Sequence, residues 1–217
     1  MSTTERHVPG RAGRGRTVRA SGGLLAWRGL DLVTTAVLGV AFGVVFIVWD
    51  YALNTPWTGL TSAFPPAGSL ALGVWLLPAV AGGLLVRRPG AALLCEMIAA
   101  LLEFWLGNPW GAGVLVSGLL QGAGAEIGFA LLGFRRFGPV AAMLAGAVAA
   151  ALPVVAYEWW TYSLEYSWPW KLASLGFSVT SGVLLAGLGS WALVRALARA
   201  GAIDAFPAGR EHLAARG

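Results

Sequence analysis

RRPGAALLCEMIAALLEFWLGNPWG, residues 87–111, is the stretch that decides how this chain is built. An apolar run, residues 91–106, lies between an arginine turn (Arg87-Arg88-Pro89-Gly90) and an aromatic turn (Gly107-Asn108-Pro109-Trp110-Gly111), and the only charges inside it are Glu96 and Glu103. Arginine on one side of a hydrophobic run and tryptophan on the other is the pattern of a helix crossing a bilayer, with the arginines on the cytoplasmic side and indoles at the headgroups.

The rest of the chain follows the same rule. Of its 217 residues 57% are hydrophobic and 12% charged, against about 25% charged in ordinary soluble domains. The mean hydropathy is +0.71. Glycine occurs 31 times and tryptophan 11 times; glycine lets helices approach closely in lipid, and tryptophan favours the interface. Six apolar runs are long enough to cross, at about Asp31–Trp49, Gly68–Val86, Ala91–Leu106, Ala112–Phe134, Pro139–Tyr157 and Leu172–Leu197. Arginine occupies the N-terminal segment, the second–third turn, the fourth–fifth turn (Arg135-Arg136) and the C-terminal segment. The first–second and third–fourth loops contain no lysine or arginine, and the fifth–sixth loop has Lys171 at its edge. This alternation predicts an all-α integral membrane protein with six transmembrane helices and both termini cytoplasmic. The expected division is a disordered basic tail over 1–28, a six-helix membrane domain over 29–199 and a second cytoplasmic tail over 200–217.

Several function classes are excluded. The net charge of +5 lies in tails and turns, so topology explains it better than nucleic-acid binding does. Gly122-Ala123-Gly124 lies in a predicted span with no strand before it, which removes a dinucleotide reading. There is no Walker lysine and no metal-spaced His/Cys cluster; the histidines, His7 and His212, fall in the tails, and Cys95 has no partner for a disulfide. No cofactor or metal is expected.

Ionisable side chains inside a span are costly against lipid and mark function or internal pairing. Here they are Glu96, Glu103 and Glu126, joined by Gln121. Counted from Arg88 and Arg135, Glu96 and Glu126 lie about 12–14 Å from the arginine boundary, and Glu103 and Gln121 about 21–23 Å. Glu96 and Glu103 are two helical turns apart and share a face, with Ala99 and Ala100 between them. Gln121 and Glu126 diverge by about 140°, so one is expected to face a cavity and the other to serve packing. Glu158 stands among Tyr157, Trp159 and Trp160 at the end of the fifth span. Carboxylates beside indoles suit a cationic, aromatic, polar ligand.

The stretch quoted above, followed by GLLQGAGAEIGFA at 118–130 and by VAYEWW at 155–160 and SGVLLAG at 181–187, resembles the substrate-binding S components of thiamin/hydroxymethylpyrimidine ECF (energy-coupling factor) transporters, of the YkoE type. The resemblance runs from about Asp31 to Arg199. It implies a vitamin receptor in the bacterial cytoplasmic membrane that captures thiamin or its hydroxymethylpyrimidine precursor from outside. Such a receptor works with a transmembrane coupling subunit and two ATPase subunits, which hydrolyse ATP in its place. The residues carried over are Glu96, Glu103, Asn108, Gln121 and Glu126 from the dense motif and Glu158 from the fifth span. Glu103 would meet the positive or amino group, Trp110, Trp159 or Trp160 would stack on a ring, and Gln121 and Asn108 would complete the hydrogen bonds. The family's mode of docking implies a small-residue patch on the first helix, here Ala36, Gly39 and Gly43. Two other readings stay open at this stage: an intramembrane acid–base enzyme using the buried glutamates, and a membrane scaffold using the glycine-rich faces.

Overall fold

Lipid offers no hydrogen bonds, so a chain that crosses it must satisfy its backbone within helices or a closed barrel. The computed structural model describes residues 17–23 and 25–216, and its regular structure among these residues is helical throughout. The first 16 residues of the expected basic tail lie outside the described residues.

The helices are α1 (Gly29–Val48), α2 (Asn54–Thr61), α3 (Gly73–Val86), α4 (Ala91–Leu106), α5 (Gly113–Ala130), α6 (Pro139–Pro153), α7 (Trp159–Thr161), α8 (Trp168–Ser181), α9 (Gly189–Arg199) and α10 (Pro207–Ala214). Prolines stand at the first turns of α6, α8 and α10, where the missing N–H costs nothing. Wider π-type turns at Trp49–Leu53, Val154–Glu158 and Gly182–Leu188 join helices end to end, and a 3₁₀ segment, Pro65–Ala71, leads into α3. The continuous helical stretches Gly29–Thr61, Pro65–Val86, Gly113–Ala130, Pro139–Thr161 and Trp168–Arg199 are each long and apolar enough to cross a membrane. The remaining expected span, the third in chain order, is α4; it has the bounds read from the sequence, but its 16 residues reach only about 24 Å.

α3 runs through the middle, with 72% of its span buried against 28% for the first. Around it α1 packs on α4, α4 on α5, α5 on α6, and α6 on the α8–α9 stretch. Small residues set these approaches: a methyl on Gly146 would run into the Gly182 carbonyl, and one on Gly182 into that of Gly146. The exposed faces carry Val33, Val37, Val40 and Val44 of α1 and Leu184 and Leu185 after α8.

The arginine-bearing segments gather at one end. Gly90 turns with φ +89°, a left-handed conformation that favours glycine, and delivers the chain into α4. Arg88, 1% exposed, donates Nε to Asp31 Oδ2 at 2.8 Å and its terminal nitrogens to the carbonyls of Ser21 and Gly23. Asp31 in turn accepts from the Arg28 backbone N–H at 3.0 Å and pairs with the Arg28 guanidinium at 2.6 Å. Arg87 pairs with Glu211 of α10 at 2.6 Å and lies over the Phe137 ring; burial pulls its guanidinium below its ordinary value, against the pull of Glu211. The described part of the N-terminal segment is therefore strapped to the α3–α4 turn, and α10 folds back on the same place.

Candidate functional site

Away from the arginine end, α3, α4, α5 and the α6–α7 connection enclose a cavity of about 160 Å³. Three carboxyl groups line it, those of Glu96, Glu103 and Glu158, together with the rings of Trp75, Trp110 and Tyr162 and the polar side chains of Gln121 and Ser117. Leu72, Ala100 and Val114 complete the wall, and among the described residues no lysine, arginine or histidine lines it.

The two α4 glutamates arrive by helical spacing: two turns apart, they meet the same neighbour, α3. Glu96 is fully buried. Pro78 sits inside α3 and opens its ladder; one residue on, the Ala79 N–H donates to Glu96 Oε2 at 3.0 Å. Glu96 Oε1 has no donor among the described residues, although it is walled off from solvent. Glu103, 1% exposed, accepts the Trp75 indole N–H on Oε1 at 3.2 Å. Its carboxyl group also stands within hydrogen-bonding reach of Asp50, on the turn that follows α1.

Aromatic side chains frame Glu103. Trp75 meets Trp110 edge-on at 5.5 Å and Trp49 edge-on at 5.9 Å. Trp110 is aimed by Asn108, whose Oδ1 accepts the Trp110 backbone N–H at 2.8 Å in a local turn. Glu158 is delivered by the π-type turn that follows Pro153. Tyr162, just beyond that span, has its phenol pushed up to about 12 by burial and by the adjacent Tyr157 hydroxyl, so it stays neutral and can donate. Lys171 lies 4.8 Å from the Trp160 ring and 5.6 Å from that of Trp168, stacked on indoles outside the cavity.

Of the residues expected to form the site, the structure brings together Glu96, Glu103, Trp110, Gln121 and Glu158. Three stand apart. Asn108 shapes the turn that carries Trp110. Trp159 is buried against the edge of Trp168 at 5.9 Å. Glu126 turns to the start of α4, where its Oε1 accepts the N–H groups of Ala92 at 2.8 Å and Leu93 at 3.3 Å. A helix N-terminus leaves its first N–H groups unpaired, and Gly90 has no side chain to cap them, so a carboxylate from α5 does it. Matching depths along the sequence placed Glu126 level with Glu96; the side chain instead reaches about a turn closer to the arginine end.

Two of the three residues of the expected docking patch pack within the molecule. Gly39 and Gly43 are buried against α4: a methyl on Gly39 would meet the Cys95 carbonyl and Ile98, and one on Gly43 would meet Leu102 and the Ala99 carbonyl. Ala36, one turn earlier, is half-buried. The two glycines are spent within the molecule.

The reading of the sequence did not single out Trp75, Tyr162, Ser117 or Asp50. For Asp50 a signal existed, since it interrupts an aromatic and apolar run, Val48-Trp49-Asp50-Tyr51-Ala52-Leu53. For Trp75, a lone indole in an apolar span, there was none.

A family model described as ABC-type cobalt transport system, permease component, matches residues 30–152. The putative HMP/thiamine permease protein YkoE of Bacillus subtilis (strain 168) is 33% identical over 187 residues, covering 86% of this chain and 92% of that protein. A crystal structure of an S-component of an ECF transporter superposes with a TM-score of 0.80 at 32% identity, covering 88% of this chain and 95% of that one.

Proposed function

The chain belongs to the YkoE-type family of ECF-transporter S components, membrane substrate-binding subunits for vitamin-type uptake, and from that premise we propose that its ligand is thiamin or the hydroxymethylpyrimidine precursor of thiamin. The observation that carries this reading is the composition of the cavity wall: three carboxyl groups and three aromatic rings with no basic side chain among them. Carboxylates neutralise a cationic ring and accept hydrogen bonds from an amino group, and indole faces stack on flat heterocycles. Carboxyl, indole and amide groups without histidine suit an organic cation better than a cobalt ion.

In this reading Glu103, held by Trp75, meets the positive or amino group, Trp110 and Trp75 flank a ring, and Gln121 and Glu158 complete the polar contacts. The chain crosses the cytoplasmic membrane of a bacterium six times, α4 included, with its arginine end and both termini in the cytoplasm. Its membrane domain spans 29–199, between cytoplasmic segments 1–28 and 200–217. Transport is driven by a coupling subunit and two ATPase subunits, and this chain catalyses nothing itself.

Purified protein titrated with thiamin and with hydroxymethylpyrimidine tests the reading through tryptophan fluorescence, since Trp75 and Trp110 line the cavity. A saturable change with either ligand supports it; a flat fluorescence and calorimetric response to both overturns it.

A further inference from the structure

Asp50 is 4% exposed, and neither of its carboxyl oxygens meets an N–H or O–H donor among the described residues. What it faces is another carboxyl group, that of Glu103, which lines the cavity. Two carboxylates this close repel each other unless a proton or a cation stands between them. Among the described residues the Trp75 indole N–H is given to Glu103, and no donor is bonded to Asp50. The remaining titratable groups that face the pair deepen the problem. Glu96 lies two turns along α4 and is fully buried, and Glu158 and Tyr162 line the same cavity. Among the described residues no lysine, arginine or histidine lines it, and no three His, Cys, Asp or Glu side chains converge as a metal site would.

We propose that Asp50 and Glu103 hold one proton between them and release it when a cationic ligand enters the cavity, so that the site exchanges a proton for its ligand. This rests on the vitamin-receptor reading. In the empty site the pair carries one negative charge, with the proton on one oxygen and hydrogen-bonded to the other. When a singly charged ring settles against Glu103, the repulsion that required the proton is removed. The O–H bond breaks, the proton passes to water, and two carboxylates plus one ligand cation again leave a single negative charge. Because the buried charge is the same before and after, the exchange adds no further uncompensated ion to the site. Asp50 is in this sense a specificity residue: it provides the second negative charge that only a cation can balance. A neutral ligand brings no charge and displaces no proton.

Calorimetry of the full-length protein at neutral pH, in buffers of differing ionisation enthalpy, counts the protons. The expected result is release of about one proton per thiamin, and none with neutral hydroxymethylpyrimidine. In Asp50→Asn the amide donates to Glu103 and holds it ionised, so thiamin binding should proceed with no proton release. Thiamin binding whose heat is the same in every buffer overturns the proton exchange alone, and so does release that persists in Asp50→Asn. The comparison of the two ligands on the unaltered protein stands even if the variant does not fold. Absence of binding heat with both ligands in every buffer overturns the vitamin reading and the exchange together.

Discussion

Trp75 of α3 donates its indole N–H to Glu103 of α4 across 3.2 Å, beside the acid Asp50. The bond fixes the direction of the carboxylate that the account places against the ligand. Trp75→Phe keeps the ring and removes the donor. It should weaken thiamin binding about tenfold, the worth of a hydrogen bond to a charged group, and leave the melting temperature nearly unchanged. Calorimetry and thermal unfolding, run side by side, check both halves.

Glu103→Gln removes the charge at the same place without changing the volume. Its cost should fall on thiamin, which carries a permanent positive charge, far more than on hydroxymethylpyrimidine. Equal losses for the two ligands would mean that Glu103 contributes shape or hydrogen bonding but no charge recognition. Fluorescence titration of both ligands on this variant gives the ratio directly.

Glu126 is a helix cap supplied from a neighbouring helix. Glu126→Ala leaves the first N–H groups of α4 unpaired and should cost about 1–2 kcal/mol of stability, while thiamin affinity stays within about twofold, an amount worth only ~0.4 kcal/mol. Glu126→Gln retains an acceptor oxygen and should recover much of the loss. Unfolding midpoints of the two variants, with affinity measured on each, separate a capping role from a binding one.

Gly39 lies against the Cys95 carbonyl with no room for a side chain. Gly39→Leu should therefore destabilise the isolated subunit by about 1–3 kcal/mol or prevent its folding. A variant that is as stable alone as the parent, yet fails to assemble with a coupling subunit, would return Gly39 to the docking role implied by its spacing.

At the arginine end the ion pairs predict an asymmetry. Asp31→Asn leaves the fully buried Arg88 guanidinium without its carboxylate and should cost about 3–5 kcal/mol. Arg88→Met leaves Asp31 still paired with Arg28, so it should cost distinctly less. Thermal unfolding of the two single variants shows the order.

The sequence made the spans legible because a bilayer imposes two coarse rules, apolar length and arginine sidedness, that leave plain marks. It made Glu96, Glu103, Gln121 and Glu158 legible because polar groups stand out in apolar runs. It could not assign Glu126, since a depth count says how far along a helix a carboxylate sits and nothing of which backbone it reaches. Nor could it find the use of Gly39 and Gly43, because close packing looks the same whether the partner helix is α4 or another subunit. Trp75 and Tyr162 were hidden for a related reason: aromatic residues are ordinary in membrane helices, and only the convergence of α3, α5 and the α6–α7 connection around α4 brings them to one cavity.

In the proposed function the cavity around Glu103 is the place where a vitamin is held. Calorimetric titration of the unaltered, purified protein with thiamin, repeated with Glu103→Gln, tests that claim most directly. Saturable binding of one thiamin per chain is expected, weakened about tenfold or more by the substitution. Thiamin bound equally well by the variant, or bound by neither protein, would contradict it.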